Sequence, residues 1–368
     1  MILLHHYGLF SDKNIGILNL FQKTSGLFSA GVDIFFVLSG FFIGGILVEK
    51  KAADNFYAIF YLKRIARILP AYLALVLSYF FVSSGRLSSA EFYPASFLKC
   101  GCPMPLYLLF AQNLFISLTS VFDPVYMLPA WALALEVQFY LLIPMMMRKL
   151  SSHQLILISV SAVLTAPLIR FMLISVNPFH FQKPWWAAYV LFPSRMDSFF
   201  LGILTVYLVK NPRLHGVINK NFNYLYWSGT VCLVIFCFLT VFKQTLLNSV
   251  ISTLGYTLFA FTGTLIILIL IYGKPGRISR FFSSPVFQQW GKLSYFMYLF
   301  HVPYFAFAQS LVFKTRTPII NSLPTFFCAR ISFLFLWFTA YLFRYFVELP
   351  ISRISGQLKY RGKGLQTA

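Results

Sequence analysis

Acidic residues are scarce in this chain. Asp and Glu together number nine among 368 residues, against 30 Lys and Arg. Charge of either sign makes up 11% of the sequence, well under the roughly 25% of a soluble domain. A water-facing surface cannot be built from so little charge. Cysteine is also sparse. Cys232, Cys237 and Cys328 lie in apolar runs, and Cys100 and Cys102 form a C-G-C in a loop. This excludes a disulfide framework, and no Cys/His spacing offers a metal site. The sequence has no G-x-S-x-G elbow, phosphate-binding P-loop, G-x-G-x-x-G turn or H-E-x-x-H helix. It lacks the strand alternation of an outer-membrane barrel and shows no internal repeat. No basic n-region or small-residue cleavage site marks a signal peptide.

Apolar sequence is abundant. Hydrophobic residues reach 59%, with 44 Phe and a mean hydropathy of +0.75. Runs at 29–48, 68–84, 104–121, 129–147, 154–175, 188–209, 224–242, 249–272, 293–313 and 325–346 approach the ~20 residues a membrane helix needs. The opening MILLHHYGLF is a further stump, half that length. The pattern predicts an all-α, polytopic transmembrane bundle. Residues 1–348 form one integral-membrane domain, and 349–368 form a short basic tail.

The net charge of +21 would point to nucleic acid on a soluble protein. Here the basic residues flank apolar runs: Lys50 and Lys51 with Lys63, Arg64 and Arg67; Arg148 and Lys149; Lys210, Arg213 and Lys220; Lys274, Arg277 and Arg280; and the tail. That placement predicts cytoplasmic loops and anionic lipid contact, with no nucleic acid partner. From 129 onward the basic loops alternate with the other side, and the C-terminus comes out cytoplasmic. Counting the stump with every run gives an odd number of crossings, whereas the basic loops demand an even one. The expectation is therefore about ten full crossings, with 68–84 short, broken or re-entrant.

Ionisable groups inside apolar runs are expensive and serve as functional candidates. Asp33 lies in GVDIFFVLSGFFIGG with nothing nearby to pair with, so it needs a partner from another helix. Gly40 and Gly44 beyond it permit close helix approach. Glu136 shares part of a helical face with Trp131 and Tyr140. Arg64 and Arg67, at i and i+3, project from one face before Pro70 interrupts the helix, and such a fork suits phosphate. Arg195 and Asp197 lie on different faces, so each should pair with another helix. Tyr295, Tyr298 and His301 lie in WGKLSYFMYLFHVP, and Glu348 can pair with Arg344 at i, i+4. A histidine that can take a proton, buried carboxylates and an Arg pair together fit group transfer to a hydroxyl. A proton-coupled transporter would use the same residue types.

Seven stretches, LLHHYG, GVDIFFVLSGFFI, KRIARILPAY, WALALEVQFYLLIP, RMDSFFLG, WGKLSYFMYLFHVP and VELPISR, occur in this order. Over nearly its whole length the chain resembles the acyltransferase-3 family of integral-membrane acyltransferases. The resemblance implies transfer of an acyl group, usually acetyl from acetyl-CoA as co-substrate, to carbohydrate hydroxyls. Acceptors include surface polysaccharide, lipopolysaccharide and peptidoglycan, at a bacterial inner membrane. No bound cofactor or metal is implied.

By motif, His6 resembles the catalytic base, ahead of His5, and Asp33 resembles the acid that partners it. Arg64 and Arg67 match the motif associated with the acyl donor. Glu136 and Trp131 match the W-x-x-x-x-E of the reaction cavity. Arg195, Tyr295, His301 and Glu348 match further cavity or substrate-binding positions. Relatives usually begin earlier, with an Arg-containing segment and the first half of helix one. The resemblance therefore implies that Met1 stands inside that helix, and a truncated, inactive relative is a third reading beside enzyme and transporter.

Overall fold

Two glycines let a pair of helices in the bundle pack backbone to backbone. The computed structural model describes residues 1–12, 16–84, 93, 95–242, 251–273, 276–314 and 318–362. The chain opens with α1 (Ile2–Leu9) and α2 (Gly16–Ser25), followed by α3 (Gly31–Lys50) and α4 (Phe56–Ser83). Two short helices, α5 (Met104–Leu108) and α6 (Gln112–Thr119), precede α7 (Ala130–Lys149) and α8 (Ser152–Phe171). Then come α9 (Phe192–Lys210), α10 (Phe222–Phe242), α11 (Tyr256–Tyr272), α12 (Pro285–Phe313), α13 (Leu323–Phe343) and α14 (Leu349–Gly356). A β-carbon on Gly40 of α3 would fall on the Phe199 carbonyl oxygen of α9, and one on Gly202 would come within 2.8 Å of the Gly40 Cα. Only glycine lets these backbones meet, and their contact brings the start of α3 beside the start of α9.

Seven helices among the described residues are long and apolar enough to cross a membrane, including a continuous stretch Leu323–Gly356. There α13 runs through a π turn, Arg344–Glu348, into α14. The described residues form a helical bundle without strands, apart from one bridge between Ser11 and Ile320. Its outer side chains are apolar: Leu77, Leu164 and Leu334 are each 64% exposed. Such residues suit lipid.

The first half departs from the expected segments. The run 68–84 is not broken. It is the second part of α4, which continues through Pro70 for 28 residues. The broken run is 104–121, where α5 and α6 span five and eight residues. Phe110 between them adopts a left-handed φ of 54°. An eight-residue helix rises only about 12 Å, too little to cross ~30 Å of hydrocarbon. The expected total of about ten exceeds the seven long apolar helices found among the described residues. Lys274 of the basic clusters and residues 363–368 of the tail lie outside the described residues.

One end of the bundle gathers the basic residues. Lys51 donates to the Leu150 carbonyl at 2.5 Å, Arg148 donates to the carbonyls of Lys51 and Ala53, and Lys210 pairs with Glu49 at 2.7 Å. The end of α3, the start of α4, the α7–α8 turn and the end of α9 therefore meet there. The tail joins them. Asn55 donates to the Lys359 carbonyl at 3.0 Å and accepts from the Arg361 amide at 2.8 Å.

Candidate active site

Helix α12 presents three polar groups along its length, at positions 295, 298 and 301, and each meets a different helix. The Tyr295 hydroxyl donates to the Ile68 carbonyl of α4 at 3.0 Å, and the Tyr298 hydroxyl donates to the Pro129 carbonyl before α7 at 2.7 Å. His301, fully buried, meets His6 of α1, with Nε2 of His301 2.5 Å from Nδ1 of His6. From 295 to 301 a helix rises about 9 Å.

The histidine pair is geometrically well defined. The ring planes differ by 6° and the centroids are 4.8 Å apart. That separation exceeds the N···N distance by about two ring radii, so the rings lie end to end in nearly one plane, as an N–H···N bond prefers. Nδ1 of His301 donates to the Tyr298 carbonyl at 2.7 Å. His5 has a different partner. Its Nδ1 donates to the Ser25 carbonyl at 3.1 Å, tying α1 to the end of α2.

Asp33 does not partner His6. It lies in the first turn of α3, where Arg195 of α9 pairs with it at 2.8 Å and the Ser198 hydroxyl donates to it at 3.0 Å. The α3–α9 glycine contact places these groups together. Asp197 points another way, toward Arg170 of α8 at 3.0 Å and the Thr257 hydroxyl of α11 at 2.6 Å. Arg170 also donates to the carbonyls of Ser194 and Thr253. The Arg195 guanidinium lies 4.0 Å from the centroid of the Tyr256 ring and 5.3 Å from that of Tyr189, which in turn packs on Trp131 at 4.5 Å. The Arg195–Asp33 and Arg170–Asp197 pairs thus form one buried network across α3, α8, α9 and α11. Sequence reasoning passed over Arg170. A cation inside the apolar run 154–175 was the signal that could have found it.

Glu136 of α7 accepts from the Ser39 hydroxyl at 3.0 Å and from the Tyr140 hydroxyl. Arg64 lies over the Phe60 and Tyr140 rings at 5.8 and 5.9 Å, and its buried Nε has no hydrogen-bond partner among the described residues. Arg67 lies over Tyr295 at 5.7 Å and 3.6 Å from Glu348, which Arg344 approaches at the same distance. The π turn at the end of α13 carries Glu348 to this position. Lys63 covers the ring of Tyr360 from the tail. The structure therefore brings Arg64, Arg67, Glu136, Tyr295 and Glu348 together where α4, α7 and α12 meet. It places His6 with His301, and Asp33 with Arg195. No group of His, Cys, Asp and Glu suited to a metal occurs among the described residues.

A family model described as an acyltransferase domain, acyltransferase 3, matches residues 1–342. The chain belongs to the acyltransferase-3 family. Family membership, together with the long apolar helices, makes it an integral membrane protein. An uncharacterized protein of Haemophilus influenzae is 34% identical over 124 residues, covering 32% of this chain and 48% of that protein. A Staphylococcus aureus protein of strain COL, provisionally named an O-acetyltransferase, is 23% identical over 346 residues, or 90% of this chain and 51% of its own. The Staphylococcus aureus O-acetyltransferase OatA is 25% identical over 345 residues, or 86% of this chain and 53% of OatA. The chain spans about half the length of the curated relatives it matches. No solved structure matches it.

Proposed function

We propose that this acyltransferase moves an acyl group, acetyl in the simplest case, from acyl-CoA to a hydroxyl of a carbohydrate or cell-surface glycan. The membrane is a bacterial inner membrane, with the basic end of the bundle and the C-terminus in the cytoplasm. One observation carries this reading. Helix α12 connects the arginine cluster, through Tyr295, to the histidine pair, through His301, within two turns. A donor whose phosphates rest on Arg64 and Arg67 can extend its pantetheine arm along that helix toward His6.

The steps follow from these residues. Arg binds phosphate oxygens bidentately, and the Arg64 guanidinium makes no ion pair among the described residues that would compete for it. His6 takes the proton of the acceptor hydroxyl. The alkoxide attacks the thioester carbonyl carbon, the C–S bond breaks, and the proton held by His6 passes to the departing thiolate. Glu136, held by Ser39 and Tyr140, and Trp131, held by Tyr189, shape the space between the two clusters.

The test is transfer of label from acetyl-CoA into glycan in membranes containing the protein. A positioned general base contributes typically ~10²–10⁴-fold, so His6→Ala should lower labelling by about that factor at equal expression. Near-normal labelling by that variant would remove His6 as the base. Absence of labelled glycan with the unaltered chain would overturn the acyltransferase reading itself.

A further inference from the structure

A histidine base must present a bare ring nitrogen to its substrate, and whatever holds the other nitrogen decides which tautomer forms. The usual holder is a carboxylate. Here Asp33 is engaged by Arg195 at 2.8 Å and by Ser198 at 3.0 Å, and no ion pair joins either ring of the His6–His301 pair to a carboxylate among the described residues. We propose that His301 fills this place. It is a positioning residue that fixes the ring orientation and tautomer of His6, and it is itself fixed by the Tyr298 carbonyl. The inference rests on His6 being the base of the proposed transfer.

The assignment follows from donor and acceptor accounting. A backbone carbonyl only accepts, so Nδ1 of His301 carries its proton toward Tyr298. With the ring neutral, Nε2 of His301 is then bare and accepts. The 2.5 Å contact makes Nδ1 of His6 the donor, and the lone pair of His6 is left on Nε2. No hydrogen bond to that nitrogen is found among the described residues. The chain of bonds from carbonyl to His301 to His6 thus has one polarity, and its free end is the base. When His6 accepts a proton at Nε2, its Nδ1–H stays bonded to His301 and shares the new positive charge with a polarisable ring. The proton then leaves with the thiolate, and the pair returns to its starting state. His301 neither bonds nor exchanges protons with substrate.

The fold supports the arrangement. His301 is 0% exposed within α12, so its ring cannot turn to solvent. Its own helix supplies Tyr298, three residues earlier, and Tyr298 is anchored in turn by its hydroxyl on the Pro129 carbonyl. The orientation of His6 is therefore set by a rigid helix rather than by the short α1 that carries it.

The experiment compares three replacements of His301 in detergent-solubilised or membrane-embedded full chain, with kcat and donor KM measured separately. Gln can accept from His6 through its carbonyl oxygen and donate its amide to Tyr298. His301→Gln should keep kcat within about 10-fold of the starting protein. Asn is as polar but one methylene shorter and cannot span the gap, and Leu cannot bond at all. His301→Asn and His301→Leu should lose ~10²-fold or more in kcat with donor KM little changed. Because His301 acts through His6, the double variant His6→Ala/His301→Leu should be no slower than His6→Ala alone. Equal losses for Gln, Asn and Leu, or additive losses in the double variant, would reduce His301 to a packing residue. If Leu fails to assemble, the Gln and Asn pair still decides. A His6→Ala variant that stays active overturns the base assignment. An inactive His6→Ala beside a fully active His301→Asn overturns the positioning role alone.

Discussion

The membrane bundle buries ionisable groups in two regions, and their surroundings differ. At the α3–α8–α9–α11 contact, two Arg and two Asp meet with their side chains almost wholly buried, and the charges balance. Serine and threonine hydroxyls and backbone carbonyls take up further bonds there, while Nε and Nη1 of Arg195 have no hydrogen-bond partner among the described residues and its guanidinium lies against the Tyr256 ring. Along α12, by contrast, the ionisable groups are not matched one to one with carboxylates. His6 bonds His301 rather than a carboxylate, and Arg64 lies over two rings and makes no ion pair among the described residues. A closed network holds helices together. An open one can bind and react. Asp33, which motif resemblance pairs with His6, belongs to the closed region.

The largest expected effect comes from breaking the closed region on one side. Asp197→Ala would leave Arg170 buried without its carboxylate. Removing one partner of a buried pair typically costs about 3–5 kcal/mol, because the other charge stays uncompensated. The expected result is loss of folded protein or a large drop in thermal unfolding temperature in detergent. An Asp197→Ala protein as stable as the original would show that the network is not structural.

A smaller effect follows from removing both charges. Arg170→Met with Asp197→Ala deletes both charges without adding volume, and removing a buried pair together costs far less than stranding one partner. The double variant should be much more stable than Asp197→Ala, by about 2 kcal/mol or more in a mutant cycle. Simple addition of the two single losses would mean that these residues act through separate contacts and not as a pair.

Much of the closed region is legible in the sequence. An isolated Asp33 demands a distant cation, the i, i+2 spacing of Arg195 and Asp197 sends them to different helices, and Gly40 marks a close crossing. The structure has all three. The His6–His301 bond is not legible, since the two residues lie 295 positions apart and no spacing rule connects α1 with α12. The error at 104–121 has a physical source as well. Hydropathy counts apolar residues but does not register a backbone break such as the one at Phe110. Likewise Pro70 reads as an interruption, yet α4 continues through it because tertiary packing outweighs local propensity.

The smallest expected change in stability is at the open arginine cluster, and there the comparison is sharpest. Arg67 has a side chain 45% exposed and meets Glu348 at 3.6 Å, a geometry worth about 0–1 kcal/mol. Arg64 makes ring contacts and no ion pair among the described residues. Arg64→Ala and Arg67→Ala should therefore leave thermal stability within about 1 kcal/mol of the original. If these guanidiniums hold donor phosphates, each loss of a charge-assisted contact, worth roughly 1.5–3 kcal/mol, should raise donor KM by about 10-fold or more. Acceptor KM should hardly move. A fall in stability with unchanged donor KM would move the Arg pair into the closed class with Arg170 and Arg195, and would leave the donor phosphates without a site at this end of the bundle.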